Sequence, residues 1–423
     1  MKKLLLCTAL SASLVTPAFA ADYNSRIRAL EKRIQELETK SDKSATKSDI
    51  ASAIERRLSG NNDFNPAISL ILDGKYHKFS EDTNEIAGFA IGEEGERASE
   101  GMSIDESELN FSANIDDKFY GSLTTAIVRE DGEDKIELEE AYIQTLNNFH
   151  GFSLKAGRFF ASIGYLNEHH AHTDNFANRP LPYRIFLNKA YNDDGLELSY
   201  LFPTPFYMEA GYGMFRGDDF PGGNASGEGA NGTTGYLRIG GDLGSKTAWR
   251  LGASALSTKT GSSGRSSNET TVTYLGKTDF LIADLKLAYA PTGNRKNQEI
   301  ILQGEYFDRS EKGDYTVSSN TAFIDDDSKG YYGELIYKFH PNYRIGYRYS
   351  GLEAAETPSA LSGTTLDSAG HDPYTNSVML DWSNSEYSRI RVQYNQDNTT
   401  TEEDNQLILQ YSMSIGAHPA HKF

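Results

Sequence analysis

The sequence predicts an all-β fold: a 16-stranded antiparallel transmembrane β-barrel with a short N-terminal periplasmic coiled-coil helix. Three observations predict it. Apolar residues recur with a period of two through segments of ten or more residues. The connections between those segments alternate between short and long. Beyond the extreme N-terminus no apolar run approaches the roughly 20 residues that a membrane-spanning helix needs. Composition agrees: the 423 residues include 25 Tyr and 21 Phe but only two Trp, and aromatics this abundant count against disorder because they can bury a large surface.

Taken in order, residues 1–20 read as a signal peptide. Lys2 and Lys3 precede an apolar stretch from Leu4 to Val15, and Ala18-Phe19-Ala20 has the small-x-small form of a cleavage site. The single cysteine, Cys7, falls inside it, so the exported chain has neither a disulfide framework nor thiolate chemistry. The formal net charge of −19 becomes more negative once Lys2 and Lys3 are removed, which argues against nucleic acid as a partner. Residues 21–60 form a helical preface. Ile27, Leu30, Ile34 and Leu37 follow the alternating three-and-four spacing of a heptad seam. A polar spacer, Ser41 to Lys47, leads to a second helix over 48–58 that stops at Gly60. Helices this short are marginal alone in water, so the segment is expected to pair with copies of itself. A single amphipathic helix docked on the rest of the chain stays open.

From residue 64 to residue 423 the pattern is that of a barrel. Leu407, Leu409, Tyr411, Met413 and Ile415 alternate with Gln406, Gln410, Ser412 and Ser414. Tyr343, Ile345, Tyr347 and Tyr349 likewise enclose Arg344, Gly346 and Arg348. One face is apolar and the other charged, as expected where lipid lies outside and water inside. Sixteen such segments are predicted, centred near residues 71, 109, 123, 141, 156, 198, 210, 238, 252, 284, 303, 334, 346, 379, 391 and 410, with imperfect alternation near 123 and 141. Short turns, such as His340 to Asn342, are assigned to the periplasmic side. Long links, notably 77–102, 161–193, 216–233, 259–275 and 352–373, are assigned to the outside. The chain ends on Phe423, an aromatic terminus of the kind read by the outer-membrane assembly machinery.

Together these features resemble a sixteen-stranded bacterial outer-membrane porin over almost the whole chain. The stretches EEAYIQ (Glu139 to Gln144) and LKAGRFFASIGYLNE (Leu154 to Glu168) more narrowly resemble the phosphate- and polyphosphate-selective porin family. Gly157 to Arg184 resembles the putative zinc-regulated outer-membrane porins. The resemblance implies a passive channel in the bacterial outer membrane, in contact with lipid and lipopolysaccharide and assembled as a homotrimer. A plugged receptor of about twenty-two strands does not fit in this length. The acidic charge departs from the phosphate-selective pattern, since an acidic protein concentrates anions poorly without a local basic patch.

Residues 161–193 form the third long loop, which in general porins folds inward as the constriction. Glu168, His169, His170, His172 and Asp174 are the pore-constriction candidates, with Arg179 and Arg184 at the entrance. Three of the nine histidines fall within four positions, and imidazole with carboxylate is the usual zinc donor set. His169, His170, His172 and Asp174 are therefore the candidate metal ligands, for a transient Zn2+ rather than a required cofactor. A merely polar lining and structural hydrogen bonding within the loop stay open. The polar parity assigns Glu299, Glu305 and Glu334 to one arc of the lumen, and Arg344, Arg348, Arg389 and Arg391 to late strands, where they could face acidic residues of an inserted loop. Three function classes are compared. The leading one is a water-filled channel for passive diffusion of small hydrophilic solutes or ions, with zinc entry as a special case. The alternative is a structural protein that tethers the envelope through its coiled coil and has a closed lumen. No Ser-His-Asp set can be assigned, so an enzyme is not expected.

Overall fold

Period-two alternation places successive side chains on opposite faces of a strand, and a sheet with one lipid-facing side must close on itself to leave no unpaired edge. The computed structural model describes residues 66–416, apart from 82, 105–106, 131–132, 147–149, 226–228 and 269–270. The predicted signal peptide, the predicted coiled-coil segment and the C-terminal tail with Phe423 lie outside the described residues.

The strand segments are β1 (Ala67–Lys78), β2 (Gly101–Ile104), β3 (Ser107–Asn114), β4 (Phe119–Glu130), β5 (Glu133–Thr145), β6 (Phe152–Phe160), β7 (Asn192–Leu201), β8 (Tyr207–Phe215) and β9 (Gly232–Leu243). They continue as β10 (Thr247–Lys259), β11 (Arg265–Ser267), β12 (Val272–Tyr289), β13 (Glu299–Val317), β14 (Asn320–His340), β15 (Tyr343–Glu353), β16 (Tyr374–Ser385), β17 (Ser388–Asn398) and β18 (Asp404–Gly416). Segments β2 and β3 lie end to end against β1 and make one wall strand. Segment β11 pairs only with the far end of β12. The wall is therefore sixteen-stranded, and each predicted segment centre falls inside a strand. Every pairing is antiparallel, and β1 closes the barrel against β18, from Ser69 opposite Gly416 to Lys78 opposite Leu407.

The faces are inverted relative to a soluble protein. Leu407, Leu409, Tyr411, Met413 and Ile415 on β18 are 43–54% exposed, whereas Gln406, Gln410 and Ser412 between them are at most 5% exposed. Long and short links segregate to opposite ends, but the long end is also built from strands. β13 and β14 run for 19 and 21 residues, roughly twice the about ten needed to cross a bilayer at a tilt. Their turn leaves only Ser318 and Ser319 between them.

The polar lumen expected from the sequence is found only over part of the barrel's height. Toward the long-link end the inward positions become Leu256, Phe280, Ile282, Phe307, Tyr332 and Leu352, all buried. Residues of the inter-strand loops, among them Ile86, Phe89, Ile91, Leu181 and Phe186, pack against them as one apolar core inside the barrel. The physical reason is burial: once loops cover these wall positions, water no longer reaches them and the hydrophobic effect favours apolar side chains there.

Candidate functional site

The loop 161–191 begins where β6 leaves its neighbour. β6 pairs with β5 only from Lys155 to Arg158, opposite Gln144 to Ala141, while its whole length pairs with β7. Gly157 sits at this parting with φ +129, and a Cβ there would lie 2.1 Å from the Ala141 carbonyl oxygen, so only glycine fits. Asn167 then ties the neck of the loop. Its amide nitrogen donates to the carbonyls of Ala161 (2.8 Å) and Tyr191 (2.9 Å), and its oxygen accepts from the Tyr191 N–H at 2.7 Å.

Between its ends the loop makes short 3-10 turns at Leu166–Glu168 and Ala171–Thr173 and one short helix, α1 (Leu181–Phe186). Two prolines, Pro180 and Pro182, favour a polyproline-like backbone in the stretch from Asn178 to Tyr183. Pro180 has that conformation, with φ −65 and ψ 157, but the chain turns helical immediately after it. A proline in the first helical turn loses no hydrogen bond, because the N–H there has no partner within the helix anyway.

The loop is fastened to strands around the wall. On β13, Glu305 accepts from the N–H groups of Tyr165 (2.9 Å) and Leu166 (3.1 Å), from Tyr183 Oη (2.9 Å) and from Tyr332 Oη (2.7 Å). On β7, Glu197 accepts from Ser162 Oγ at 2.6 Å. Glu168 is bound by Arg238, through Nη1 at 2.9 Å, and approached by Arg250 at 3.5 Å. On β14, Glu334 accepts from Asn175 Nδ2 at 2.6 Å.

The late-strand arginines meet the loop in two ways, and the charges of Arg348 and Arg391 act on its Asp174 carboxylate. They donate mainly to its backbone. Arg389 reaches the His172 carbonyl (2.6 Å), Arg391 the Asp174 carbonyl (2.9 Å) and Arg348 the Asn178 carbonyl (2.7 Å), while Arg344 donates to the Asn175 side chain at 3.2 Å. Asp381 on β16 balances them, pairing with Arg391 at 2.7 Å and also with Arg344. Glu299 stands apart at the short-link end, 3.8 Å from Arg295.

The predicted histidine group is divided. His170 and His172 converge on β3 and β5. His172 Nδ1 lies 2.7 Å from Glu108 Oε1, and His170 Nδ1 lies 3.1 Å from Glu108 Oε2 and 3.2 Å from Glu139 Oε2. His170 Nε2 is 3.2 Å from Glu140, which Lys155 approaches at 3.8 Å. Burial opposes charge on His170, but Glu108 and Glu139 outweigh it and hold the imidazole well above its ordinary range.

His169 and Asp174 are not brought into this group. His169 stacks on Tyr165 with its Nδ1 2.8 Å from the Tyr165 carbonyl, and burial pushes it down to about 4. Asp174 takes the Arg179 guanidinium at 3.0 Å. Arg179 also donates to the carbonyls of Lys189 and His169, so it braces the loop from within. Arg184 donates to the Gly95 carbonyl at 3.2 Å, and burial lowers it. Arg179 is 5% exposed, whereas Arg184 is only half-buried.

Glu108, Glu139 and Glu140 were missed as site residues. The signal for Glu139 and Glu140 was the imperfect alternation near 141; Glu108, on β3, had none. Thr124 pairs with Glu140 and Thr125 with Leu138, leaving Glu139 as the extra residue of a bulge. A bulge breaks the period of two, so both adjacent carboxylates reach the His170 ring.

With this geometry established, the fold is that of an outer-membrane porin-like sixteen-strand barrel. The chain is similar to the anion-selective porin from Comamonas acidovorans, with a TM-score of 0.54 and 11% identity over 83% of this chain and 99% of that one. It is similar also to the outer membrane channel DcaP of Acinetobacter baumannii, with a TM-score of 0.53 and 10% identity over 83% and 97%. At these identities the likeness is one of fold. In sequence, the chain is 29% identical over 387 residues to an uncharacterized protein of Aquifex aeolicus strain VF5, which covers 85% of this chain and 80% of that one. No protein-family profile matches.

Proposed function

We propose that the protein is a bacterial outer-membrane channel for passive diffusion of small hydrophilic solutes or ions, narrowed by the loop 161–191. The observation that carries this reading is the fastening of that loop inside the lumen by Glu305, Arg348, Arg389 and Arg391. A segment tied along β13 to β17, and also to Glu197 on β7 and Arg238 on β9, sets the width of the path and the charges along it. Among charged side chains around the loop and the short-link half, Glu168, Arg250, Glu299 and Arg344 keep 27%, 21%, 19% and 14% exposure. Their mixed signs support weak ion selectivity. The zinc link belongs to the same reading: His170 and His172 are the donors that the loop offers to a metal, which passive diffusion does not require as a cofactor.

The test is conductance of the refolded protein in a planar bilayer under a salt gradient. Steady current with a small reversal potential supports the channel. A folded protein that passes no current overturns it and favours the alternative, an envelope tether with a filled lumen. One observation speaks for that alternative, the apolar core of loops at the long-link end. The apolar outer face suits lipid and lipopolysaccharide, and a homotrimer is part of the proposal, testable by crosslinking in intact envelopes.

A further inference from the structure

The geometry points to a resident divalent-cation site formed by Glu108, His170 and His172, with Glu139 as the fourth donor, that pins the inserted loop to β3 and β5. One ligand atom from each of Glu108, His170 and His172 lies within 4.8 Å of the others. All three residues are at most 6% exposed. Donors placed roughly 2.0–2.2 Å from a tetrahedral zinc ion stand about 3.3 Å apart. His170 Nδ1 lies close to that spacing from Glu108 Oε2, at 3.1 Å, and from Glu139 Oε2, at 3.2 Å, while His172 Nδ1, 2.7 Å from Glu108 Oε1, must move out by about 0.6 Å to share an ion.

Four further features favour a cation over a simple hydrogen-bonded contact. Two imidazoles with carboxylates suit zinc and its first-row neighbours better than magnesium or calcium, which prefer all-oxygen shells. The charge is compatible: Glu108, Glu139 and Glu140 face Lys155 and the His170 imidazole, and a divalent ion that displaces the imidazole proton leaves three negative charges matched by three positive ones. The surroundings are ordered. Phe160 packs edge-on against the His170 ring at 5.2 Å, and the His170 and His172 rings lie 5.7 Å apart. The bulge in β5 that turns Glu139 toward His170 adds a donor that a regular strand would direct away.

The site goes beyond diffusion through the lumen, because an ion held here is a structural clamp. The sequence brings only the two histidines close together. β3 and β5 supply the carboxylates, so occupancy joins the 169–174 turn to a second part of the wall, separated from the arginine-bearing β17 by β18 and β1.

The test uses the full chain folded in detergent, stripped with a chelator and titrated with Zn2+ by calorimetry and with Co2+ by visible absorption. One equivalent of each metal is expected, with Co2+ giving the d–d bands of nitrogen and oxygen coordination. His172→Ala and the near-isosteric Glu108→Gln should each weaken binding by more than about tenfold, since loss even of an outer partner costs that much. His340→Ala, on an exposed residue far along the chain, should change nothing. Absence of saturable binding in the wild type, or unchanged affinity in both site variants, overturns the site. If His172→Ala fails to fold, Glu108→Gln decides. Binding is read without current, so a chain that conducts without binding refutes the clamp alone, and one that binds without conducting refutes the channel alone.

Discussion

The two sides of the inserted loop are held by different chemistry. Against β15 and β17, Arg348, Arg389 and Arg391 donate to carbonyl groups of the loop. Against β3 and β5, the side chains of His170 and His172 meet Glu108, Glu139 and Glu140. A guanidinium bonded to a carbonyl is always charged and recognises the path of the backbone, whichever side chains the loop carries. The imidazole–carboxylate side depends on two particular residues, and its donors can exchange a partner for a cation. One side is a permanent anchor, the other an adjustable one.

The anchor side should yield the greatest loss when broken. Arg391 and Asp381 are both fully buried, and removing one member of such a pair costs about 3–5 kcal/mol. Arg391→Met is expected to lower the thermal unfolding temperature in detergent and to make the current noisy as the loop detaches. A wild-type melting curve would show that the arginines are incidental to the loop. Glu305→Gln comes next. It keeps the shape but weakens bonds from two backbone N–H groups and two tyrosine hydroxyls, for about 1–3 kcal/mol. Proteolysis within 161–191 should become faster.

On the adjustable side, chelation of metal from wild-type protein should increase loop protease sensitivity, while the same treatment of Glu108→Gln should add nothing. Equal responses would remove the distinction between the two sides. A smaller effect is expected for Arg250→Gln, which takes a positive charge from the path and should move the reversal potential slightly toward cation preference.

A pH response away from both attachments provides a control. Burial, helped by Asp193, raises Asp219 in the 216–231 loop to about 6. Its folded-state value then lies above the unfolded one, so the folded state binds more protons between about 4 and 6 and stability falls as pH rises through that window. Asp219→Asn should flatten this part of the stability profile without altering metal binding. An unchanged slope would place the responsible group elsewhere.

The wall was legible because its pattern is local. Sixteen alternating segments, the alternation of link lengths and the lipid-facing parity all follow from neighbours two residues apart along a strand, as in Leu407 to Ile415. Even the anomaly near 141 was visible, although its meaning as a bulge was not. The apolar interior of the long-link end could have been suspected from Phe280-Leu281-Ile282-Ala283, where alternation gives way to apolar residues on both faces. What covers those inward residues, loops containing Phe89, Leu181 and Phe186, has no local signature.

The candidate site divides in the same way. That the loop carries clustered histidines is a property of the chain, and so is the placement of Arg348, Arg389 and Arg391 on an inward parity. Which histidines share a partner was decided only when the barrel closed, because Glu108 and His172 are 64 residues apart and meet through the order of strands around the wall. Alternation specifies which way a side chain points. Convergence depends on strand neighbours, a bulge and the path of a loop through the lumen, and these are settled by the closed sheet as a whole.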